Sequence, residues 1–365
     1  MLDRPTVLQE LQKSATDLFI DLSDELLVAQ KAWNALILNP ELPLKIKTNA
    51  HSYLVPSWIG NLAHVQSHST GLSDYVVLSV DGSQIYPDRH QGTSCSLINI
   101  GSVVLGYNSA RALHFNTKPF IHLVTDEITD NSVEYINCRR QELEFNQGVA
   151  LAKQFYKKDQ HMLFLFDGSL IFWHLEGKEQ LIKENYIAKY IASLHVFYEL
   201  QIPIVGYISL PKNKELINIV RLFLSATNKN NAINHLVDTD IAHLFLPIYS
   251  RTVLFGHNSP IAAYYPPHLK PYFFYLNVGT EIIRIELPAW LATDINRLDQ
   301  LVSIIIDQVQ KGRGYPICLA EAHEQAVVKG ADREFFYHMI QKIGTRHNYR
   351  LQMSQKSLKK RGIGI

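Results

Sequence analysis

Residues 75–83 of the chain read YVVLSVDGS, and residues 162–169 read MLFLFDGS. Each stretch is a nearly continuous apolar run, typical of a buried strand, and each ends in Asp-Gly-Ser, which is typical of a tight turn. One such turn alone indicates no function. An aspartate at the carboxyl end of a buried strand, however, lies at the rim of the sheet, where ligand sites of α/β proteins tend to occur. If the two strands are neighbours, Asp81 and Asp167 converge there, and a hard divalent ion such as Mg²⁺ or Mn²⁺ would relieve their repulsion.

The rest of the chain alternates between strand-like and helix-like patterns. Strands are predicted at 94–105, 112–124 and 202–209, and a hairpin at 272–287 turns around Asn277-Val278-Gly279-Thr280. Helices are predicted at 130–157, 178–200, 216–223, 291–310 and 319–328. The short strands after residue 74 indicate an antiparallel meander. Strands that alternate with helices in this way predict an α/β fold with a mixed sheet.

The two ends of the chain differ from this central pattern. Apolar residues recur at helical spacing in the first part (Leu8, Leu11, Leu18, Leu22 and Leu26), so we expect residues 1–70 to form a separate helical extension of a domain at 74–340. Residues 341–365 form a tail that contains basic but no acidic residues: Lys342, Arg346, Arg350, Lys356, Lys359, Lys360 and Arg361. This tail is either a solvated end or an arm that contacts nucleic-acid phosphates.

Composition narrows the class of protein. The net charge is +1, from 35 Lys and Arg against 34 Asp and Glu, so any nucleic-acid binding requires a local basic patch rather than the overall charge. Cys95, Cys138 and Cys318 form no CxxC pair, which argues against a structural zinc and a disulfide framework. The beginning of the chain does not resemble a signal peptide, and no apolar run reaches the roughly 18 residues of a membrane span. We therefore expect a soluble cytoplasmic protein without membrane contact.

A third acid is expected from the helix between the two Asp-Gly-Ser units. Glu144 shares a helical face with Arg140, Gly148 and Leu151, which would direct it inward. Glu142 lies on a neighbouring face, and the periodicity barely separates the two. Either glutamate is a candidate ligand, and either could instead lie on a solvated helix surface.

The segment from Gly314 to His323 reads GYPICLAEAH. Its Tyr-Pro sequence predicts a turn before a helix, with His323 about one turn into that helix. In a metal-dependent nuclease, His323 could bind the metal or assist proton transfer, and Tyr315 could orient a phosphate or a water molecule. The simpler interpretations are a packed tyrosine and a histidine without a catalytic role.

Together these residues resemble the NurA family of nucleases. The similarity lies in the order of Asp81, Glu144 and Asp167 and in the eight-residue step from Tyr315 to His323, and the run Arg284-Ile-Glu-Leu-Pro-Ala-Trp290 adds to it. It covers roughly residues 74–330. The chain departs from the family after the strand at 202–209, where Ser209 stands at a position that is often lysine and Lys212 follows later, so a lysine role in the site is in doubt.

The resemblance implies a ribonuclease-H-like fold and a Mn²⁺-dependent deoxyribonuclease, with Mg²⁺ as an alternative ion. It implies that Asp81, Glu144, Asp167 and His323 bind the metal and that Tyr315 completes the catalytic set. It also implies 5′–3′ exonuclease and single-strand endonuclease activity in DNA end resection and double-strand break repair. The expected partners are DNA, a second copy of the chain in a homodimer, and a HerA-type hexameric ATPase.

The predicted chemistry is phosphodiester hydrolysis, in which a metal ion activates water and neutralises charge on the phosphate. Two other functions fit the same residues. A non-catalytic DNA-binding adaptor of a translocating motor would bind DNA without a metal-dependent product. A metallophosphatase would use the same acids on a small substrate; the near-neutral net charge permits it, whereas the basic tail disfavours it.

Overall fold

The computed structural model describes residues 2–38, 53–69, 71–72, 74–88, 95–108, 110–122, 133–158, 160–226 and 233–348. The strands in these residues form one 11-stranded sheet. They are β1 (Ser57–Trp58), β2 (Gln66–Ser67), β3 (Val76–Ile85), β4 (Ser96–Gly106), β5 (Leu113–His122), β6 (Met162–Asp167), β7 (Ile204–Ile208), β8 (Ser250–Arg251), β9 (Phe255–Gly256), β10 (Pro271–Asn277) and β11 (Ile282–Pro288). The sheet order is β1-β9-β10-β11-β7-β6-β3-β4-β5, and β8 pairs with β10 and β2.

Helices flank this sheet. They are α1 (Arg4–Lys13), α2 (Ala15–Leu18), α3 (Ser23–Ile37), α4 (Val133–Phe155), α5 (Gln180–Glu199), α6 (Glu215–Ala226), α7 (Asp238–Ala242), α8 (Ala289–Ala292), α9 (Ile295–Lys311), α10 (Ile317–Ala326) and α11 (Gly330–Arg346). The single helix predicted at 291–310 is divided into α8 and α9, because the Asp294 side chain accepts a hydrogen bond from the Arg297 backbone N–H and so caps a new helix. Within the described residues, no helix has the length and apolar character needed to span a bilayer.

The centre of the sheet combines parallel and antiparallel pairing. Strands β3, β6 and β7 are parallel, with Val76 opposite Met162 and Phe164 opposite Ile204. Strands β3, β4 and β5 form the predicted antiparallel meander. The two apolar strands that carry Asp81 and Asp167 are therefore neighbours, so the condition for convergence of the two aspartates is met. The predicted α/β fold with a mixed sheet is confirmed.

Both faces of the central strands are buried, which explains their continuous apolar sequences. On one face, Val76, Leu78 and Val80 join a core that includes Phe145 of α4 and Phe197 of α5. The opposite face belongs to a second core, which also contains side chains of α9 and α10. Its members include Tyr75, Val77, Leu163 and Leu165 from the sheet and Leu301, Ile305 and Leu319 from the two helices. Each fully buried side chain of this size contributes about 1.5–3 kcal/mol, so the sheet is held rigidly between the two helical layers.

The first 70 residues contain the expected helices but are not separate from the rest of the chain. Helix α3 buries one face, which includes Ala29 and Trp33, and contacts α6 and α7. The Trp33 ring stacks on Phe245 with a centroid distance of 5.0 Å. Strands β1 and β2 pair with β9 and β8. The N-terminal segment therefore shares a hydrophobic core and the main sheet with the rest of the chain.

Helix α11 was not predicted from the sequence. Its Phe336 and Tyr337 are buried and cluster with Ile85 and Cys95 at the far end of β3. The boundary expected at residue 341 falls inside this helix, which contains Lys342 and Arg346. The remaining basic residues of the expected tail begin at Arg350 and lie outside the described residues.

A buried charge network joins α6 to the hairpin of β10 and β11. The Arg284 side chain is fully buried; its Nη1 and Nη2 atoms lie 3.0 and 3.1 Å from the Glu215 carboxylate, and its Nε lies 2.8 Å from Glu286. Its guanidinium also lies 3.6 Å from the centre of the Phe273 ring. Burial alone would raise the pKa of Glu215, but the charge of Arg284 and a contact from His257 lower it to about 2.

We expect Arg284→Met to lower the free energy of unfolding by about 3–5 kcal/mol, because two carboxylates would stay buried without their cation. Denaturant unfolding followed by circular dichroism measures this loss. The matched control is Arg297→Met, which removes a partly exposed pair with Asp294 at 3.3 Å and should cost about 1 kcal/mol or less. Equal losses in the two variants would contradict a central role for the buried network.

Candidate active site

Asp81 lies within a strand rather than at its end. Strand β3 continues to Ile85, because β4 pairs with it along its whole length, so the first Asp-Gly-Ser sequence is not a turn and that prediction was wrong. Asp81 is partly buried, and its Oδ2 atom lies 2.8 Å from Nδ1 of His323 on α10. Because Asp81 lies inside the ladder of β3 and β4, opposite Gly101, its backbone is held more firmly than that of a residue in a turn.

The position after Asp81 permits a helix to approach the sheet closely. A Cβ atom at Gly82 would lie 2.6 Å from Glu144 Oε1 and 2.7 Å from Arg140 Cγ, both on α4. On the other face, Gly101 of β4 stands opposite Asp81, and its Cβ would lie 2.3 Å from the Ala326 backbone nitrogen on α10. Because α4 and α10 press on opposite faces at this point, side chains from both helices reach the Asp81 region.

Asp167 ends β6, and here the Asp-Gly-Ser sequence does form the predicted turn. Gly168 has φ +136, a conformation that favours glycine, and its N–H donates to the Tyr207 carbonyl at 3.0 Å. The turn is fixed by Glu286, whose Oε2 accepts hydrogen bonds from Ser169 Oγ at 2.6 Å and from the Leu170 N–H at 2.9 Å. The buried network around Arg284 therefore extends to the turn that positions Asp167.

Glu144, rather than Glu142, is directed toward the two aspartates. Its side chain is buried above Gly82. Burial raises the pKa of Glu144 to about 8, the charges of Asp81 and Asp167 add to the increase, and Arg140 opposes it. Glu142 instead pairs with Arg139 at 2.6 Å and with Lys189 of α5 at 3.3 Å. Of the two candidate glutamates, the one that shares a helical face with Arg140 therefore lies near the aspartates.

Tyr315 and His323 complete the group of predicted residues. The Tyr315 hydroxyl donates to Asp167 Oδ2 at 2.8 Å, and its ring packs edge-on against Tyr207. Desolvation raises the pKa of Asp167, as does the nearby Asp81 charge, whereas the hydrogen bond from Tyr315 lowers it. All five predicted side chains therefore lie in one region, linked in two hydrogen-bonded pairs with Glu144 close by. Ser209 instead donates to Glu281 at 2.8–2.9 Å.

Arg140 belongs to this region although the sequence analysis gave it no role. Its Nη1 donates to the Gly82 carbonyl at 2.8 Å, and its Nε lies 3.6 Å from Glu144 Oε1. It thereby connects α4 to the backbone of β3 beside Asp81. The available signal was its position four residues before Glu144, which places both side chains on one helical face.

The donor set fits a hard divalent cation. Carboxylate oxygens of Asp81, Glu144 and Asp167 are the ligands that Mg²⁺ and Mn²⁺ prefer. Burial raises the pKa values of Glu144 and Asp167, and a bound cation would favour their ionised forms. In the parts of the chain that the structure describes, no three His, Cys, Asp or Glu side chains are already spaced as a metal cage. Binding of an ion therefore requires these acids to turn toward it.

We expect Gly82→Ala to destabilise the protein by about 1–3 kcal/mol, because its methyl group would overlap Arg140 Cγ and the Glu144 carboxylate. Gly177→Ala is the control, since a Cβ there has no heavy atom within 4 Å. Thermal unfolding compares the two variants. A Gly82→Ala protein as stable as Gly177→Ala would show that α4 does not need close approach at this strand.

The fold of the chain is similar to that of solved structures. The chain superposes on the NurA nuclease from Sulfolobus solfataricus with a TM-score of 0.56 and 13% sequence identity, over 95% of this chain and 98% of that one. A second NurA structure matches with a TM-score of 0.41 and 12% identity, over 88% and 98% of the two chains. Endonuclease V from Bacillus subtilis matches with a TM-score of 0.35 and 13% identity, over 72% and 81%.

No curated protein sequence matches the chain significantly. At 13% identity, the likeness to the Sulfolobus protein establishes a shared fold and nothing more. The sequence profile of the NurA domain, however, matches residues 75–328, which include all five side chains of the candidate site. This match covers more than half of the 365 residues, and the chain therefore belongs to the NurA family.

Proposed function

We infer that this NurA-family chain is a nuclease, and we propose that it hydrolyses phosphodiester bonds of DNA with Mn²⁺ or Mg²⁺ as cofactor. The observation that supports this best is the convergence of Asp81, Glu144 and Asp167, two of them hydrogen-bonded to His323 and Tyr315. Such a group of acids is costly in a folded protein because the carboxylates repel each other. A divalent metal ion bound among the carboxylates would offset that cost and would also attract the negatively charged phosphodiester.

Each side chain has a distinct role in this proposal. Asp81, Glu144, Asp167 and His323 would hold the ion, which when bound supplies a Lewis acid that activates water and neutralises phosphate charge. Asp81 engages Nδ1 of His323, which leaves Nε2 to bind the ion or to exchange a proton with the attacking or leaving oxygen. The Tyr315 hydroxyl, which donates its proton to Asp167, would orient that carboxylate and would accept a hydrogen bond from the attacking water.

We extend the proposal to the cellular setting that the family resemblance implies. The enzyme would act as a 5′–3′ exonuclease and single-strand endonuclease in cytoplasmic DNA end resection and double-strand break repair. It would work as a homodimer together with a HerA-type hexameric ATPase. Family membership supports these finer assignments, and the described residues supply the chemistry on which they depend.

The central test compares wild type with Asp81→Asn, Glu144→Gln and Asp167→Asn on end-labelled single- and double-stranded DNA. We expect cleavage with Mn²⁺ or Mg²⁺ and none in EDTA. Each substitution should reduce turnover by at least about 100-fold, because metal and nucleophile are lost together. Asp24→Asn, at an exposed acid in the first turn of α3, is the control and should cleave like wild type.

The alternatives predict different products. A non-catalytic adaptor would bind DNA without metal-dependent cleavage, either alone or with a HerA-type motor. A metallophosphatase would hydrolyse a small phosphate ester, and its rate would be independent of polymer length. Unchanged DNA cleavage in all three acid variants would remove the proposed site.

A second prediction concerns Tyr315. Tyr315→Phe removes its hydrogen bond to Asp167, a bond to a charged acceptor worth about 1.5–3 kcal/mol, so we expect turnover to fall about 10-fold or more. Tyr207→Phe is the matched control, because the buried Tyr207 hydroxyl has no hydrogen-bond partner among the described residues. Single-turnover cleavage rates measure both. Similar losses in the two variants would mean that the hydrogen bond from Tyr315 to Asp167 does not support turnover.

A further inference from the structure

A polar cavity of about 430 Å³ adjoins the candidate active site. One wall is the outer face of α4, and the other is the segment at 173–178 that follows the Asp167 turn. Its lining side chains are predominantly hydrogen-bond donors or cations: Asn137, Arg140, Gln141, His174 and Lys178, with Glu134 and Cys138. None of the roles assigned above uses this cavity.

The charges in the cavity favour an anion. Lys178 is the less exposed partner of an ion pair with Glu134: Nζ lies 2.6 Å from Oε1, and the two side chains are 23% and 63% exposed. Glu134 is thus the more exposed partner of the pair, and its charge partly neutralises that of Lys178. His174 remains accessible to solvent, yet desolvation by the surrounding protein, followed by the charges of Lys178 and Arg140, lowers its pKa to about 4. At neutral pH it is an uncharged donor between two cations.

Arg140 joins the cavity to the site. The same side chain lines the cavity, donates to the Gly82 carbonyl and lies beside Glu144. Its Nε is buried without a hydrogen-bond partner among the described residues, so one donor of this guanidinium stays unused. A group bound in the cavity is therefore separated from the carboxylates by a single arginine.

We propose that this cavity binds a phosphate group of the nucleic-acid strand, on the nucleotide next to the phosphodiester that is hydrolysed. This inference rests on the proposed nuclease function. Arg140 and Lys178 supply the charge, since cationic side chains that contact phosphates provide most of the affinity for a strand and fix its register. His174, Asn137 and Gln141 supply neutral donors around the same anion. Contact with Arg140 aligns the bound strand with the carboxylates.

The test measures binding of a fluorescent single-stranded oligonucleotide in EDTA, where cleavage cannot interfere, over a series of salt concentrations. We expect Lys178→Gln to weaken binding about 5- to 10-fold and to lower the salt slope by about one. Glu134→Gln removes the negative charge at the rim and should tighten binding. Lys153→Gln, at an exposed lysine in the last turn of α4, is the control for a general loss of charge. Circular dichroism checks that all variants are folded.

Three outcomes would overturn the proposal. They are equal weakening by Lys178→Gln and Lys153→Gln, weakening rather than tightening by Glu134→Gln, and unchanged binding by Lys178→Gln. Inorganic phosphate serves as a competitor in a separate arm. If it binds wild type as tightly as the oligonucleotide does, the ligand is a free anion rather than a strand. If wild type shows no nuclease activity but the opposite effects of the two charge variants persist, the cavity assignment stands and the proposed chemistry fails.

Discussion

The buried arginine Arg284 is the constraint on which the rest of the structure depends. Its guanidinium forms ion pairs with Glu215 at the beginning of α6 and with Glu286 on β11, and it is fully buried. Glu286 in turn holds the turn at Ser169, so a charge deep in the sheet determines where Asp167 lies. A network of this kind adds less stability than well-packed apolar residues would. Its contribution is to fix the conformation of the turn at residues 168–170 through the hydrogen bonds that Glu286 accepts.

The second feature of the candidate site is the close approach of two helices to the sheet at Gly82 and Gly101, which have no side chains. Two helices press on opposite faces there, which brings Glu144 from one side and His323 from the other to the same strand. Placing the three acids close together in a buried region costs free energy, as the raised pKa of Glu144 shows. The apolar cores on both faces offset that cost, because they leave the strand no freedom to move the acids apart.

The sequence predicted the strands and helices of the domain well, because their apolar periodicity is strong. The order of the acids also led to the residues that the structure brings together. Pattern alone could not separate Glu142 from Glu144, since the choice depends on which face of α4 meets Gly82. The continuation of β3 past Asp81 depends on pairing with β4, and Arg140 matters only through a contact distant in sequence. Helix α11 was missed although Phe336, Met339, Ile340 and Ile343 recur at helical spacing.

The contact between His323 and Asp81 joins residues 242 positions apart. During synthesis the chain emerges from its N-terminus, at about 5–20 residues per second, so Asp81, Glu144 and Asp167 are all present well before α10 exists. Until α10 arrives, the face of β4 at Gly101 has no helix against it, and neither Tyr315 nor His323 is available. The complete set of five side chains therefore forms only when most of the chain has been made. The candidate site is therefore incomplete in a nascent chain or in a fragment that lacks α10.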